Sequence, residues 1–288
     1  MNKRFMHIPV RIHPLFWIVV CSAVWTGYFI EIFTLIVLVV IHELGHLAAA
    51  NAFGWRMESI RLLPFGGVVK TDEWGTVPAR EEITVALAGP FQHVFIVLIS
   101  LFFHQQGWWS LDWTKYFIHG NMMVAGFNLL PIYPLDGGRI LQSSLSYFFP
   151  YRVCLEITLW LGMAGSLLLC VCSFFLSSKG VVLHLLLLGL FLFHSNYQTF
   201  KQKNIHFVRF LLYRRYHPDR SHRVTKLRVR ADARLNTVMR KICKEKYHIL
   251  EVHDETGKLI SVVPEEWALD TYLRSPYYRK EIREWFAS

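Results

Sequence analysis

Apolar residues in this chain come in long unbroken blocks rather than as stripes on otherwise polar elements. Residues 14–30, 32–53, 82–103, 115–130, 154–176 and 181–200 are dominated by Leu, Ile, Val, Phe and small side chains. About 20 such residues in a helix cross roughly 30 Å of hydrocarbon, so the pattern predicts about six transmembrane helices. Residues 54–81 are polar, and Leu63-Pro64-Phe65-Gly66-Gly67-Val68-Val69 within them reads as strand broken by a Gly-Gly turn, a short β-hairpin loop. The fourth block ends in Asn128-Leu129-Leu130-Pro131-Ile132-Tyr133-Pro134-Leu135-Asp136-Gly137-Gly138-Arg139. Two prolines followed by two glycines cannot continue an unbroken helix, so the freed backbone must line a wet or protein-packed cavity rather than face lipid.

Past residue 225 the pattern becomes that of a small α+β domain. Residues 237–244 read as helix, 247–253 alternate as a strand, Asp254-Glu255-Thr256-Gly257 is a turn signal, 258–263 form a second strand and 265–274 return to helix. The predicted organisation is a six-span membrane domain over 1–200, a basic juxtamembrane linker over 201–224 and a C-terminal cytoplasmic domain over 225–288.

Composition agrees with a polytopic α-helical membrane protein: 53% of the 288 residues are hydrophobic and only 18% are charged. The formal charge of +10 would suggest nucleic acid until it is located. Ten basic residues between 201 and 230 stand against the single acid Asp219. That block directly follows the last apolar run and reads as a cytoplasmic juxtamembrane segment, with no direct nucleic-acid role. Basic residues at both ends put both termini in the cytoplasm, as six spans require. The five cysteines are scattered and form no C-x-x-C, which argues against thiolate metal sites.

Chemistry enters through Ile41-His42-Glu43-Leu44-Gly45-His46, an H-E-x-x-H inside the second apolar block. Charged groups near mid-bilayer cost roughly 2.5–3.5 kcal/mol each, so they persist where something pairs them or uses them. On a helix His42 and His46 share a face and Glu43 reaches the same pocket. Two imidazoles and a carboxylate are the start of a zinc site with a general base. Catalytic zinc takes three protein ligands, and Asp136 is the best third: spans two and four run in the same direction, which brings it to the depth of the histidines. One Zn2+ per chain follows, with Glu43 as catalytic base. Asn128 is a candidate for orienting substrate or stabilising an oxyanion. Phe65, Gly66 and Gly67, on a strand able to offer an edge to extended substrate, and Pro134, beside the ligand segment, are further substrate-positioning candidates. His93, His104, His119, His184 and His194 lie in or near spans and read as packed or interfacial.

His42-Glu43-Leu44-Gly45-His46, Leu63-Pro64-Phe65-Gly66-Gly67, Ala88-Gly89-Pro90 and Asn128-x-x-Pro131-x-x-Pro134-Leu135-Asp136-Gly137-Gly138 together resemble the site-2 protease family of intramembrane zinc metalloproteases, the M50 type. The resemblance implies a zinc endopeptidase cutting a substrate in or near the membrane, and it assigns the metal to His42, His46 and Asp136. Motif order, spacing and the added C-terminal domain most resemble the branch that processes a membrane-associated sigma-factor precursor in spore-forming bacteria. That branch implies regulated intramembrane proteolysis in sporulation, inhibitory membrane proteins as partners, and a bacterial cell or forespore membrane. One departure is visible: many relatives carry asparagine three positions after the proline of A-G-P, where His93 stands here.

Strand, turn, strand, helix in the C-terminal region is similar to a CBS domain. Such modules pair and often bind ATP or another adenine nucleotide, so a single copy implies a homo-oligomer. The usual ribose-contacting S/T-x-x-D is replaced by Pro264-Glu265-Glu266-Trp267. The alternative from a different class is a CBS-regulated transporter or channel, with the buried polar residues as its ion path.

Overall fold

The computed structural model describes residues 10–12, 29–63, 66–71, 73–176, 181–217, 223–274 and 282, with single positions at 17, 21, 25 and 27. Most of the first expected span, residues 14–30, lies outside the described residues. The chain forms two units, one of residues 1–74, 80–131 and 135–140, the other of 75–79, 132–134 and 141–288.

In the first unit, α1 (Phe29–Ala52), α2 (Ala79–Gln105) and α3 (Leu111–Asn128) accompany the strands β1 (Val10–Ile12), β2 (Met57–Leu63) and β3 (Gly66–Thr71), and α4 (Asp136–Leu145) begins at the end of it. α1 and α2, with α5 (Tyr151–Phe175) of the second unit, are each long and apolar enough to cross a membrane, at a mean hydropathy of 2.0. Their burial pattern is inverted relative to a water-soluble helix. In α1 the buried positions include Thr34, His42 and His46 while Phe29, Ile30 and Phe33 are exposed. In α2, His93 and Ser100 are buried while Phe91, Phe95, Leu98 and Phe102 are exposed. Hydrocarbon solvates the apolar face, and the polar groups turned inward must find partners there. Ser100 Oγ–H donates to the Ile96 carbonyl at 2.7 Å and Asn121 Nδ2–H to the Phe117 carbonyl at 2.9 Å. α3 carries its own start signal, the Ser110 side chain accepting from the Trp113 amide.

The expected hairpin is present with a different register of roles. Gly66 and Gly67 are not the turn: they pair with Leu63 and Leu62 in the antiparallel β2–β3 ladder, while residues 64–65 lie outside the described residues. β1 adds in parallel to β2, giving the order β1-β2-β3 with β3 at an edge and against α1. A three-residue strand in a basic N-terminal segment carries no periodicity, so nothing in the sequence announced it.

In the second unit α5 packs against α6 (Leu183–Lys201). Gly162 of α5 is required there, since a Cβ would overlap Asn196. The segment expected as a basic linker is largely a helix, α7 (Lys203–Tyr216). It buries Phe207, Phe210 and Leu211 in the core of the sheet that follows. That sheet runs β4 (Arg223–Arg230), β5 (Lys246–His253) and β6 (Leu259–Pro264), with α8 (Leu235–Met239) crossing between the parallel pair β4–β5 and α9 (Glu265–Arg274) after the antiparallel pair β5–β6. Asp254 Oδ1 accepts from the amides of Thr256 and Lys258, and Gly257 takes φ +83°, which closes the expected turn. β4 was hidden by its cations. Arg223, Lys226, Arg228 and Arg230 face outward on an edge strand, a place where charge is tolerated and blocks further pairing.

One buried ionic cluster ties α7 to β5 and α9. Arg214 holds the Glu265 carboxylate through two nitrogens and also donates to the carbonyls of Lys244, at 2.6 Å, and Lys246. The amide and Nδ1 of His248 donate to Glu265 Oε2 at 2.8 and 3.0 Å. Burial alone would raise the Glu265 carboxyl, but the His248 hydrogen bond and the Arg214 charge outweigh it and hold the group below its ordinary range. A depressed carboxyl adds stability that is complete above its unfolded value of about 4.3 and is lost as pH falls through its folded value. Arg214→Met strands a buried carboxylate, and we expect it to lower the stability of this unit by about 3–5 kcal/mol at pH 7. Hydrogen exchange of the β5 amides in the full chain reads the loss, and the gap from wild type should shrink as pH falls below 4. Unchanged protection at pH 7 would contradict the assignment.

Candidate metal centre

α1 places His42 and His46 one turn apart on its buried face, and the broken segment after α3 restarts as α4 at Asp136. The three side chains converge: His42 Nε2 lies 3.0 Å and His46 Nε2 3.1 Å from Asp136 Oδ2, and the two Nε2 atoms are 3.1 Å apart. All three residues are buried. Ligand atoms about 2.0–2.1 Å from one zinc at the tetrahedral angle sit roughly 3.3–3.4 Å apart. The observed triangle is a few tenths of an ångström tighter, so small ring rotations would open it around an ion. Two neutral imidazoles and a carboxylate are a donor set that suits zinc.

The rings are oriented from behind. His46 Nδ1–H donates to the Val85 carbonyl of α2 at 2.7 Å, which leaves its Nε2 lone pair free for a metal. His42 Nδ1 lies 3.1 Å from His93 Nε2, whose Nδ1 is 2.8 Å from Asn121 Oδ1. Glu43, half-buried beside this group, interacts electrostatically with His46, His42, Asp136 and Arg139.

Glycines make the approach possible. A Cβ on Gly89 would overlap the His46 ring and stand 2.8 Å from His42 Nε2. One on Gly45 would collide with Ala88 and stand 2.7 Å from Gln92 Cγ, so α1 and α2 meet at backbone distance. Gly137 is equally constrained, its Cβ position being occupied by the carbonyls of Leu129 and Leu130. The glycine of A-G-P and the first glycine of D-G-G thus have a steric cause.

The other sequence candidates are placed less centrally. Asn128, in the last turn of α3, donates from Nδ2 to the Val124 carbonyl at 3.1 Å, a bond that anchors one end of its amide. Gly66 and Gly67 lie in β3, Phe65 falls outside the described residues, and Pro134 is half-buried just before the Asp136 helix. Sequence reasoning read His93 as packed or interfacial and passed over Asn121 and the Val85 carbonyl. Asn121, fully buried amid the apolar fourth block, was the available signal: an amide there needs a partner.

The pattern of peptidase family M50 matches residues 30–109, which hold His42, Glu43, His46 and Gly89. Stage IV sporulation protein FB of Bacillus subtilis (strain 168) is 31% identical over 274 residues, spanning 94% of both chains. The chain belongs to peptidase family M50. Zinc metalloprotease MJ0392 of Methanocaldococcus jannaschii is 34% identical over 205 residues, or 66% of this M50 chain and 57% of that protein. The solved structure of a site-2 protease from Methanocaldococcus jannaschii superposes with a TM-score of 0.55 at 28% identity, covering 69% of this chain and 93% of that one. This M50 member is therefore a zinc metalloendopeptidase of the site-2 protease family and a membrane protein, with apolar helices to match. Neither the relatives nor the fold supports a transporter or channel.

If the Gly89 gap is what admits the imidazoles, Gly89→Ala should weaken zinc binding at least tenfold with helix content unchanged. Gly126→Ala, where a Cβ meets nothing within 4 Å, should leave it alone. Metal competition against a chelator measures both. Equal zinc affinity in the two variants would contradict the steric account.

Proposed function

We infer that the chain is an intramembrane endopeptidase in which His42, His46 and Asp136 hold the zinc and Glu43 is the general base. The observation that carries this is the triangle of Nε2, Nε2 and Oδ2 atoms drawn from two separate elements and buried inside an apolar helical unit. Zinc held there supplies a Lewis acid that polarises a peptide carbonyl and acidifies water. The Glu43 carboxylate accepts the proton of the attacking water and delivers it to the leaving amine nitrogen. Substrate must arrive extended, because a helical peptide bond is internally satisfied and shielded. β3 is an edge strand against α1, so its outer main-chain groups can add an extended segment as a further strand. Gly66 and Gly67 belong to that edge, and Phe65, next to them in sequence, is assigned to the same substrate-positioning group. Asn128 and Pro134 flank the segment leading to Asp136 and belong to the same substrate-positioning group.

The substrate class follows from the similarity to stage IV sporulation protein FB over nearly the whole length. It is a membrane-associated precursor protein cut near the cytoplasmic face, a sporulation sigma-factor precursor, under the control of inhibitory membrane proteins in a bacterial cell or forespore membrane. α3 and α6 join α1, α2, α5 and the N-terminal block as six spans, with both termini cytoplasmic and the site in the inward half of the bilayer. Residues 1–200 then form the membrane domain, 201–224 a basic juxtamembrane segment and 225–288 a CBS-like domain. The order β5, turn, β6, α9 supports that last reading, which carries with it an adenine nucleotide ligand and a homo-oligomer.

Glu43→Gln should abolish cleavage of a co-expressed precursor, a loss of at least a thousandfold, while zinc stays near one ion per chain. Retained cleavage would remove Glu43 from the mechanism. Prolines at Val68 and Val69 should reduce cleavage without reducing zinc content, because they delete donors and distort the edge. Cleavage at the wild-type rate would rule out the edge as the substrate dock.

A further inference from the structure

We propose that His93 and Asn121 are positioning residues that act in series behind His42, fixing which of its ring nitrogens carries the proton and hence which faces the metal. The inference rests on the reading of His42 as a zinc ligand and starts from the outermost bond. Asn121 Nδ2–H donates to the Phe117 carbonyl at 2.9 Å, which turns its Oδ1 toward His93. An amide oxygen only accepts, so at 2.8 Å the proton must sit on His93 Nδ1. In the neutral ring this leaves His93 Nε2 as an acceptor, and the group facing it at 3.1 Å is His42 Nδ1. His42 therefore carries its proton on Nδ1 and presents the lone pair of Nε2 to the triangle shared with His46 and Asp136.

No other atom in the series can reverse this order. Asn121 and His93 are 0% and 2% exposed, so no water competes for either bond. His93 is not itself a ligand, since one nitrogen is held by Asn121 and the other points at the back of the His42 ring. The series crosses α3, α2 and α1 in turn, and each step passes the orientation of one side chain to the next. His46 reaches the same tautomer by a shorter route, the Val85 carbonyl. The position where His93 stands is thus a two-ended connector, with one nitrogen to receive a proton bond and one to give it.

The test is zinc affinity of the purified full chain in detergent, by chelator competition, together with the visible spectrum of the Co2+-substituted protein. His93→Leu keeps the volume but removes both bonds, and zinc affinity should fall 10–100-fold, the range for losing the partner of a ligating histidine. His93→Gln can accept from His42 with its oxygen and donate to Asn121 with its nitrogen, so it should restore affinity and Co2+ spectrum to near wild type. Asn121→Leu should weaken zinc as well, and the double variant His93→Leu/Asn121→Leu should lose little more than His93→Leu alone, because Asn121 acts through His93. If His93→Leu does not fold, Asn121→Leu with His93 intact decides. Wild-type affinity in whichever of these is measured, or a Gln variant as weak as the Leu variant, would overturn the proposal in favour of simple packing. His42→Ala separates the two readings: retention of zinc there would overturn His42 as a ligand, whereas its loss alongside normal zinc in His93→Leu would overturn the series alone.

Discussion

Three ionisable side chains bring their ligand atoms within 3.0–3.1 Å of one another inside an apolar helical unit, and each would be costly there alone. Their convergence is the constraint on which the first unit depends. Donor atoms 3.0–3.1 Å apart leave no room for a methyl group, and Gly89 lies where one would intrude. Gly45 lets α1 approach α2 closely enough for the Val85 carbonyl to reach His46. Gly137 lets the chain fold back on the end of α3 so that Asp136 arrives at the histidines. The glycines, the helix break and the buried amides all follow from one requirement, that the donors meet in a place without water.

Several of the remaining polar residues of the spans answer to the same solvent. A hydroxyl or amide facing lipid would be stranded, so Ser100, Asn121 and Asn128 turn to carbonyls one helical turn back. Many aromatic and aliphatic residues, among them Phe33, Phe91, Leu98 and Phe102, point outward instead. From α7 onward in the second unit the logic reverts to that of water-soluble folds. Phe207, Phe210, Leu211, Leu250 and Leu269 form an apolar core, and the buried ionic cluster of Arg214 with Glu265 and His248 is fully hydrogen-bonded. A cluster of that kind specifies geometry more than it adds net stability.

Much of the site was legible in the sequence because metal chemistry restricts residue types and spacing. His42 and His46 four apart on a helix had to share a face, and a carboxylate at the end of a broken span was the natural third donor. The supporting residues were harder to read. His93 is one of 14 histidines, and its partners stand 51 and 28 positions away, so no local pattern marks it. The fold divides in the same way. Long apolar blocks announce helices, whereas β1 is too short for any period and β4 hides its alternation under four cations. α7 was obscured for the same reason: its charge reads as a linker, while its buried face of Phe207, Phe210 and Leu211 is supplied by contacts distant in sequence.

Zinc K-edge X-ray absorption on the purified wild-type chain tests the central claim most directly, since it reads the ligand atoms without any substitution. The account predicts a shell of nitrogen and oxygen donors at about 2.0–2.1 Å, with the outer-shell scattering of two imidazoles and no sulfur near 2.3 Å. A sulfur shell, or the signature of three or more imidazoles, would contradict a centre built from His42, His46 and Asp136.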